Sequence, residues 1–193
     1  NPIALINHVA DYTLRELDLR NEIKGAEELM KIQQDISKGF PTPLLRFPKY
    51  YPELSNENVL VSEFIDGESL EEGIDKKSLP WDTLLDLFRI HGAYLFGIGT
   101  FHGDLHPGNC IIDKQGKFVF IDNAAVCHAP KNVSKSLFVF FEKLSLQKLD
   151  EAFIALLDMT NQHPSEKRMK KYMSKMHEIY QDFGKKSVGE QSL

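Results

Sequence analysis

Apolar residues recur at mostly three- and four-residue spacings from Ile3 towards Lys38, through Ile6, Val9, Ala10, Leu14, Leu17, Ile23, Ala26, Leu29, Met30 and Ile36. No proline lies among them, so the pattern predicts one long helix or two nearly continuous ones. Gly25 falls inside it at a cost of about 1 kcal/mol relative to alanine, which marks close packing or a bend. Gly39 and Pro41 are the expected stop. The proline-rich stretch that follows carries two apolar runs, Leu44 to Phe47 and Val59 to Phe64, with the turn-prone Ser55-Asn56-Glu57-Asn58 between them. These predict two short strands, then a linker beginning near Ile65-Asp66-Gly67.

Beyond Leu79-Pro80, Asp82 or a residue before it can cap a buried helix containing Leu84, Leu85, Leu87 and Phe88 and running on to Ala93-Tyr94-Leu95-Phe96. Cys110-Ile111-Ile112, the turn Lys114-Gln115-Gly116 and the run Phe118 to Ile121 predict a hairpin with polar residues at its open end. From Ser134 the pattern is again helical, with Leu137, Phe138, Phe140, Phe141 and Leu144 in one group and Leu149, Phe153, Ile154, Leu156 and Leu157 in another. Lys167 to Lys186 predicts a terminal amphipathic helix, with a frayed tail after Gly184.

At 193 residues and 42% hydrophobic, the chain can bury one substantial core with room for a smaller lobe. Lys and Arg number 23 against 28 Asp and Glu, a net charge of −5 that offers no broad basic field, so no nucleic-acid partner is expected. Cys110 and Cys127 are too few for a disulfide scaffold and fit a reducing compartment. No window approaches the roughly 18 apolar residues of a membrane span. A chain that begins at Asn1 and opens directly into a helix is expected to be a processed product or the later part of a longer protein.

The chemistry concentrates in Phe101-His102-Gly103-Asp104-Leu105-His106-Pro107-Gly108-Asn109-Cys110. Asp104 and Asn109 flank the Pro107-Gly108 turn and Asp122 ends the next apolar run, so the three can converge at the mouth of one hairpin. Hard oxygen donors from Asn109 and Asp122 suit a magnesium-phosphate centre, with phosphate and water completing the shell. Asp104 is then free to orient or deprotonate an attacking hydroxyl. His106 precedes a proline, which biases it towards an extended backbone facing a nucleotide cleft.

The same residues admit plainer uses: Asp104 and Asn109 can satisfy loop backbone groups, and Asp122 can cap a turn. A metallohydrolase built on His102, Asp104, His106 and Asp122 is a further alternative. Upstream, Glu22 lies one turn from Asp18, with Glu16 less well aligned; such acids can face solvent, or Glu22 can face a cleft and meet a phosphate-orienting lysine. Glu63 stands where a strand could pass into an interlobe linker beside adenine. No G-x-x-x-x-G-K-[ST] loop is present.

Taken in order, these residues resemble the atypical protein-kinase-like family of the UbiB and AarF type, associated with ubiquinone biosynthesis and lipid metabolism. The matching pieces are Glu16-Leu17-Asp18 with Glu22, Phe47-Pro48-Lys49-Tyr50, Val59 to Gly67, His91-Gly92, His102 to Asn109 and Phe120-Ile121-Asp122. The His102 to Asn109 string also resembles small-molecule kinases of the aminoglycoside and choline phosphotransferase type; the Glu-Leu-Asp helix favours UbiB.

The resemblance implies an α+β, protein-kinase-like fold binding ATP and Mg2+, with a truncated N-lobe over residues 1–66 (a long helix and short antiparallel strands) and a helical C-lobe over residues 67–193. It implies Asp104 as the catalytic-loop aspartate, Asn109 and Asp122 as metal ligands, and Glu22 as partner of a nucleotide lysine. Glu16 would face a family-specific N-terminal extension. That extension, the alanine-rich nucleotide loop and the lysine lie upstream in the family, so the chain resembles the C-terminal part of the domain. The family's work implies a quinone- or lipid-pathway partner and peripheral membrane association, in the cytoplasm or an organellar matrix. Asp122-Asn123-Ala124 departs from the family's Asp-Phe-Gly, which keeps open a degenerate member that binds nucleotide or a partner without turnover.

Overall fold

The computed structural model describes residues 2–36, 44–160, 164–181 and 183. The helix stop predicted at Gly39 and Pro41 and the tail after Gly184 lie outside them.

The first apolar pattern forms two helices, α1 (Pro2–Glu16) and α2 (Arg20–Ile36). Asp18 makes the break. Its carboxylate accepts from the Arg20 backbone N–H at 3.1 Å and from the Arg20 guanidinium at 2.8 Å, while its carbonyl accepts from Asn21 N–H at 2.9 Å. A short polar side chain that bonds the backbone ahead of it ends one helix and starts the next. Glu22, Gly25, Ala26 and Leu29 form the buried face of α2. Gly25 marks close packing: a Cβ there would lie 1.8 Å from the Asn123 carbonyl oxygen.

Among the described residues six short strands follow: β1 (Leu45–Arg46), β2 (Gly67–Ser69), β3 (Thr100–His102), β4 (Cys110–Asp113), β5 (Phe118–Phe120) and β6 (Val126–His128). One sheet runs β1-β5-β4-β2, with β1 parallel to β5 and the other pairs antiparallel. A second, two-stranded sheet pairs β3 with β6. The β4–β5 hairpin matches the prediction, its turn carried by Gly116 at φ 77°. The strand expected over Val59 to Phe64 is only the bridge Ser62–Tyr50 with flanking backbone bonds. Local side chains intervene there. The Asn56 amide oxygen accepts from Asn58 and Val59 N–H, and the Ser55 hydroxyl accepts from Val61 N–H. The expected linker instead contains β2, then α3 (Leu70–Asp75), capped by Ser69.

Helix α4 (Trp81–Gly92) starts after Pro80, with Asp82 in its first turn, and continues as a π-helical segment, Ala93–Ile98. The Tyr94 hydroxyl donates to the Leu29 carbonyl at 2.7 Å, joining this segment to α2. The core here is Ala26, Leu29, Leu45, Phe47, Leu70, Ile90, Tyr94, Cys110, Phe118 and Phe120. Truncating either hairpin phenylalanine to alanine would cost about 3 to 5 kcal/mol, because both are fully enclosed.

The chain divides into two compact units, residues 1–128 and 129–193. The second contains α5 (Lys131–Ser145), α6 (Leu149–Asp158) and α7 (Glu166–Ile179) around Phe140, Ala152, Phe153 and Ala155. The fold is α+β, with short N-lobe strands and a predominantly helical C-lobe of protein-kinase-like architecture. Among the described residues no helix is long and apolar enough to cross a membrane.

Candidate active site

The site is built at the open end of the β4–β5 hairpin. Ile121 N–H donates to the Asn109 carbonyl at 3.0 Å, so Asn109 stands opposite Ile121 and beside Asp122. The loop from Asp104 to Asn109 closes on itself. The Asp104 carbonyl accepts from His106 N–H at 2.9 Å and from Asn109 Nδ2 at 3.0 Å, and the His106 carbonyl accepts from Asn109 N–H at 2.9 Å. These bonds occupy the Asp104 backbone and leave its exposed carboxylate without a hydrogen bond or ion pair among the described residues.

Asn109 is buried, and its Nδ2 is spent on Asp104, which leaves Oδ1 as the atom able to face a cation. Asp122 is exposed and in the left-handed conformation, φ 59°, which aspartate tolerates better than most residues. An amide oxygen and a carboxylate are hard donors suited to Mg2+.

Asn123 is fully buried. Its N–H donates to Glu22 Oε2 at 2.5 Å and Ala124 N–H donates to Glu22 Oε1 at 3.2 Å. The Asn123 side-chain Nδ2 donates to the Phe120 carbonyl at 2.9 Å and to the Tyr50 hydroxyl at 3.1 Å. Burial, then the neighbouring charge of Asp122, push the Glu22 carboxyl up to about 7, against the pull of the two N–H groups. Burial likewise pushes the Tyr50 phenol up to about 12.

His102 is buried, and its Nδ1 accepts from Asp104 N–H at 3.2 Å. The neutral ring therefore carries its proton on Nε2, which is buried and has no hydrogen-bond partner among the described residues. Burial holds its pKa below the ordinary imidazole value. His106 is exposed and uses Nδ1 to accept from Gly108 N–H at 3.0 Å, so Nε2 is its remaining ring nitrogen. Both imidazoles thus spend one nitrogen on loop backbone. The described residues hold no group of three His, Cys, Asp or Glu arranged as a metal cluster.

Glu63 lies elsewhere. Its carboxylate accepts from Arg46 Nη1 at 3.1 and 3.2 Å and from Lys49 N–H at 3.1 Å. Arg46 Nε also donates to Asp113 at 2.7 Å, at the turn end of the hairpin. Glu16 is exposed at the last residue of α1. Asp104, Asn109 and Asp122 therefore share one end of the hairpin, with Glu22 bonded to the two residues after Asp122, while Glu63 lies with Arg46 near the turn end. Sequence reasoning missed Asn123 as a hydrogen-bonding centre and Tyr50 as its partner. The one visible hint was Gly25, a glycine inside a helical pattern.

The ABC1 atypical kinase-like domain matches residues 1–157 of the chain. An aarF domain-containing protein kinase from the chloroplast of Arabidopsis thaliana is 22% identical over 93% of the chain and 34% of its own length. A probable protein kinase UbiB from Vibrio vulnificus is 31% identical over 59% of the chain and 20% of its own length. An uncharacterised Clostridium pasteurianum protein from a hydrogenase 5′ region is 29% identical over 71% of the chain and 25% of its own. The chain thus spans between a fifth and about a third of these relatives. Among solved structures, a Mycobacterium tuberculosis protein in complex with erythromycin shares the fold, with a TM-score of 0.54 and 20% identity over 94% of the chain and 46% of that protein.

Proposed function

This chain belongs to the ABC1 atypical kinase-like family, and from that premise we propose that it forms part of an ATP- and Mg2+-dependent phosphotransferase or ATPase of the UbiB type. The observation that carries the reading is the hairpin register that sets Asn109 beside Asp122, with the Asp104 backbone tied to the Asn109 amide. Asp104 accepts or orients the proton of the attacking hydroxyl or water. Asn109 Oδ1 and Asp122 are the metal ligands; Mg2+, when bound, offsets charge on the transferring phosphoryl group. His106 offers Nε2–H to an anionic oxygen of the nucleotide.

Glu22 is the residue that a nucleotide lysine from the rest of the domain would meet. Its high pKa and nearness to Asp122 give it a use for that cation. Residues 1–66 serve as part of the N-lobe and residues 67–193 as the C-lobe. Glu63 borders the adenine side, and Glu16 faces the segment preceding this chain. The substrate lies in quinone or lipid metabolism and the setting is peripheral to a membrane, as the family resemblance implies; relatives that carry the UbiB and aarF names support that resemblance.

The test is Mg2+-dependent ATP binding and hydrolysis by the full-length protein. Asp122→Asn should abolish the Mg2+ dependence. Equal nucleotide binding with and without Mg2+, unchanged by Asp122→Asn, would overturn the reading. A second reading, binding without turnover, is favoured by the sequence Asp122-Asn123-Ala124, which departs from the Asp-Phe-Gly that the family resemblance implies. Mg2+-dependent binding with no hydrolysis would select it.

A further inference from the structure

We infer that Asn123 is a positioning residue whose buried amide, held between Tyr50 and the Phe120 carbonyl, anchors the Asp122 segment in one ligand-ready conformation. This rests on the reading of Asp122 as a metal ligand.

Five contacts converge on two residues. Glu22 takes both backbone N–H groups, the Asn123 amide donates to Phe120 and Tyr50, and α2 approaches so closely that only glycine fits at residue 25. Tyr50, Glu22, Gly25 and Phe120 belong to three different elements or loops, so the segment is fixed from several sides. An aromatic side chain at residue 123 could be held by packing alone, which permits sliding and rotation; an amide bonded at two points is fixed in direction. Ala124 adds to this, since it lacks the positive-φ freedom that glycine would bring.

The arrangement does not read as a stability device. Asn123 is fully enclosed, yet its Oδ1 has no partner. A buried polar atom left unbonded is unfavourable, so an apolar residue of similar size would suit packing at least as well. What the amide supplies is orientation: Asp122, immediately before it, is held at φ 59° with its side chain exposed.

The experiment compares wild type, Asn123→Leu and Tyr50→Phe in the full-length protein. The first readout is amide-exchange protection of residues 123 and 124 without nucleotide; the second is the Mg2+ concentration that half-saturates ATP binding. Asn123→Leu should melt within a few degrees of wild type, lose about tenfold in protection and need about tenfold more Mg2+, the scale of one or two hydrogen bonds. Tyr50→Phe, which removes one acceptor and keeps the ring, should lose about threefold in both and carries the test if the leucine variant does not fold. Protection and Mg2+ requirement unchanged in both variants would overturn the inference, as would a fall in melting temperature with no change in either. Loss of protection in a protein whose wild type shows no Mg2+-dependent binding would support the anchor and overturn the phosphoryl-transfer reading instead.

Discussion

The two ends of the β4–β5 hairpin treat carboxylates in opposite ways. At the turn end, Asp113 and Glu63 share Arg46. Burial alone would raise the Asp113 pKa, but the guanidinium and the N–H groups of Lys117 and Gln115 outweigh it and hold the acid below its ordinary range. At the open end, Glu22 lies against Asp122, and neither has an ion-pair partner among the described residues. At the turn end the protein supplies its own cation to the acids. Acids brought together with no cation among the described residues are the place where the proposed lysine and Mg2+ would act.

The contrast predicts opposite consequences for substitution. At the open end, Asp104→Asn in the full-length protein should lower turnover by about 10³-fold, as removal of a general base does, with little change in melting temperature because the Asp104 side chain makes no described bond. A large loss of stability with intact turnover would assign Asp104 to architecture. At the turn end, Arg46→Met should leave turnover at saturating nucleotide largely intact and cost about 2 to 3 kcal/mol by urea denaturation, because Asp113 would keep its charge while buried and lose its partner. Turnover falling in step with stability would erase the distinction between the two ends.

A third change tests the approach of α2 to the open end. Gly25→Ala places a methyl group against the Asn123 carbonyl, a contact that backbone must yield to. The helix gains propensity from alanine, but the overlap outweighs it, and a net loss of about 1 to 2 kcal/mol is expected. Mg2+-dependent nucleotide binding should weaken with it. A stabilised protein would mean that α2 and the Asp122 segment separate easily.

These ends were unequally legible in the sequence. The hairpin and its polar open end could be read, because Cys110 to Ile112 and Phe118 to Ile121 flank a glycine turn and local chemistry decides their pairing. The bonds from Glu22 to Asn123 and Ala124 could not, since 101 and 102 residues separate the partners and no periodicity announces a carboxylate turned inward. Glu63 shows a related limit: its strand-like context did not announce the bonds from Arg46 and Lys49 N–H that hold its carboxylate. Strands of three residues, such as β2, β3 and β6, are too short to show alternation. The split at Asp18 depended on which backbone groups its carboxylate would reach.

The smallest effect expected is the acid response of the turn end. Lys49 N–H, followed by the Arg46 guanidinium, holds the Glu63 carboxyl below its usual range, and Asp113 is depressed as well. In both cases the unfolded chain binds a proton more readily than the folded one. Their stabilisation is therefore complete above the ordinary carboxylate pKa and fades as pH falls through the depressed values. Glu63 is more than one-third exposed and solvent screens its pairing, so the loss should be about 1 kcal/mol. It should also be smaller than the cost of Arg46→Met at neutral pH. Protonation removes the Asp113 charge together with its need for a partner, whereas deleting Arg46 leaves the charge in place. Urea denaturation of wild type and Arg46→Met from neutral to acid pH would measure this, with the two stability curves drawing together as pH falls; parallel curves would show that Arg46 acts through packing and not through charge.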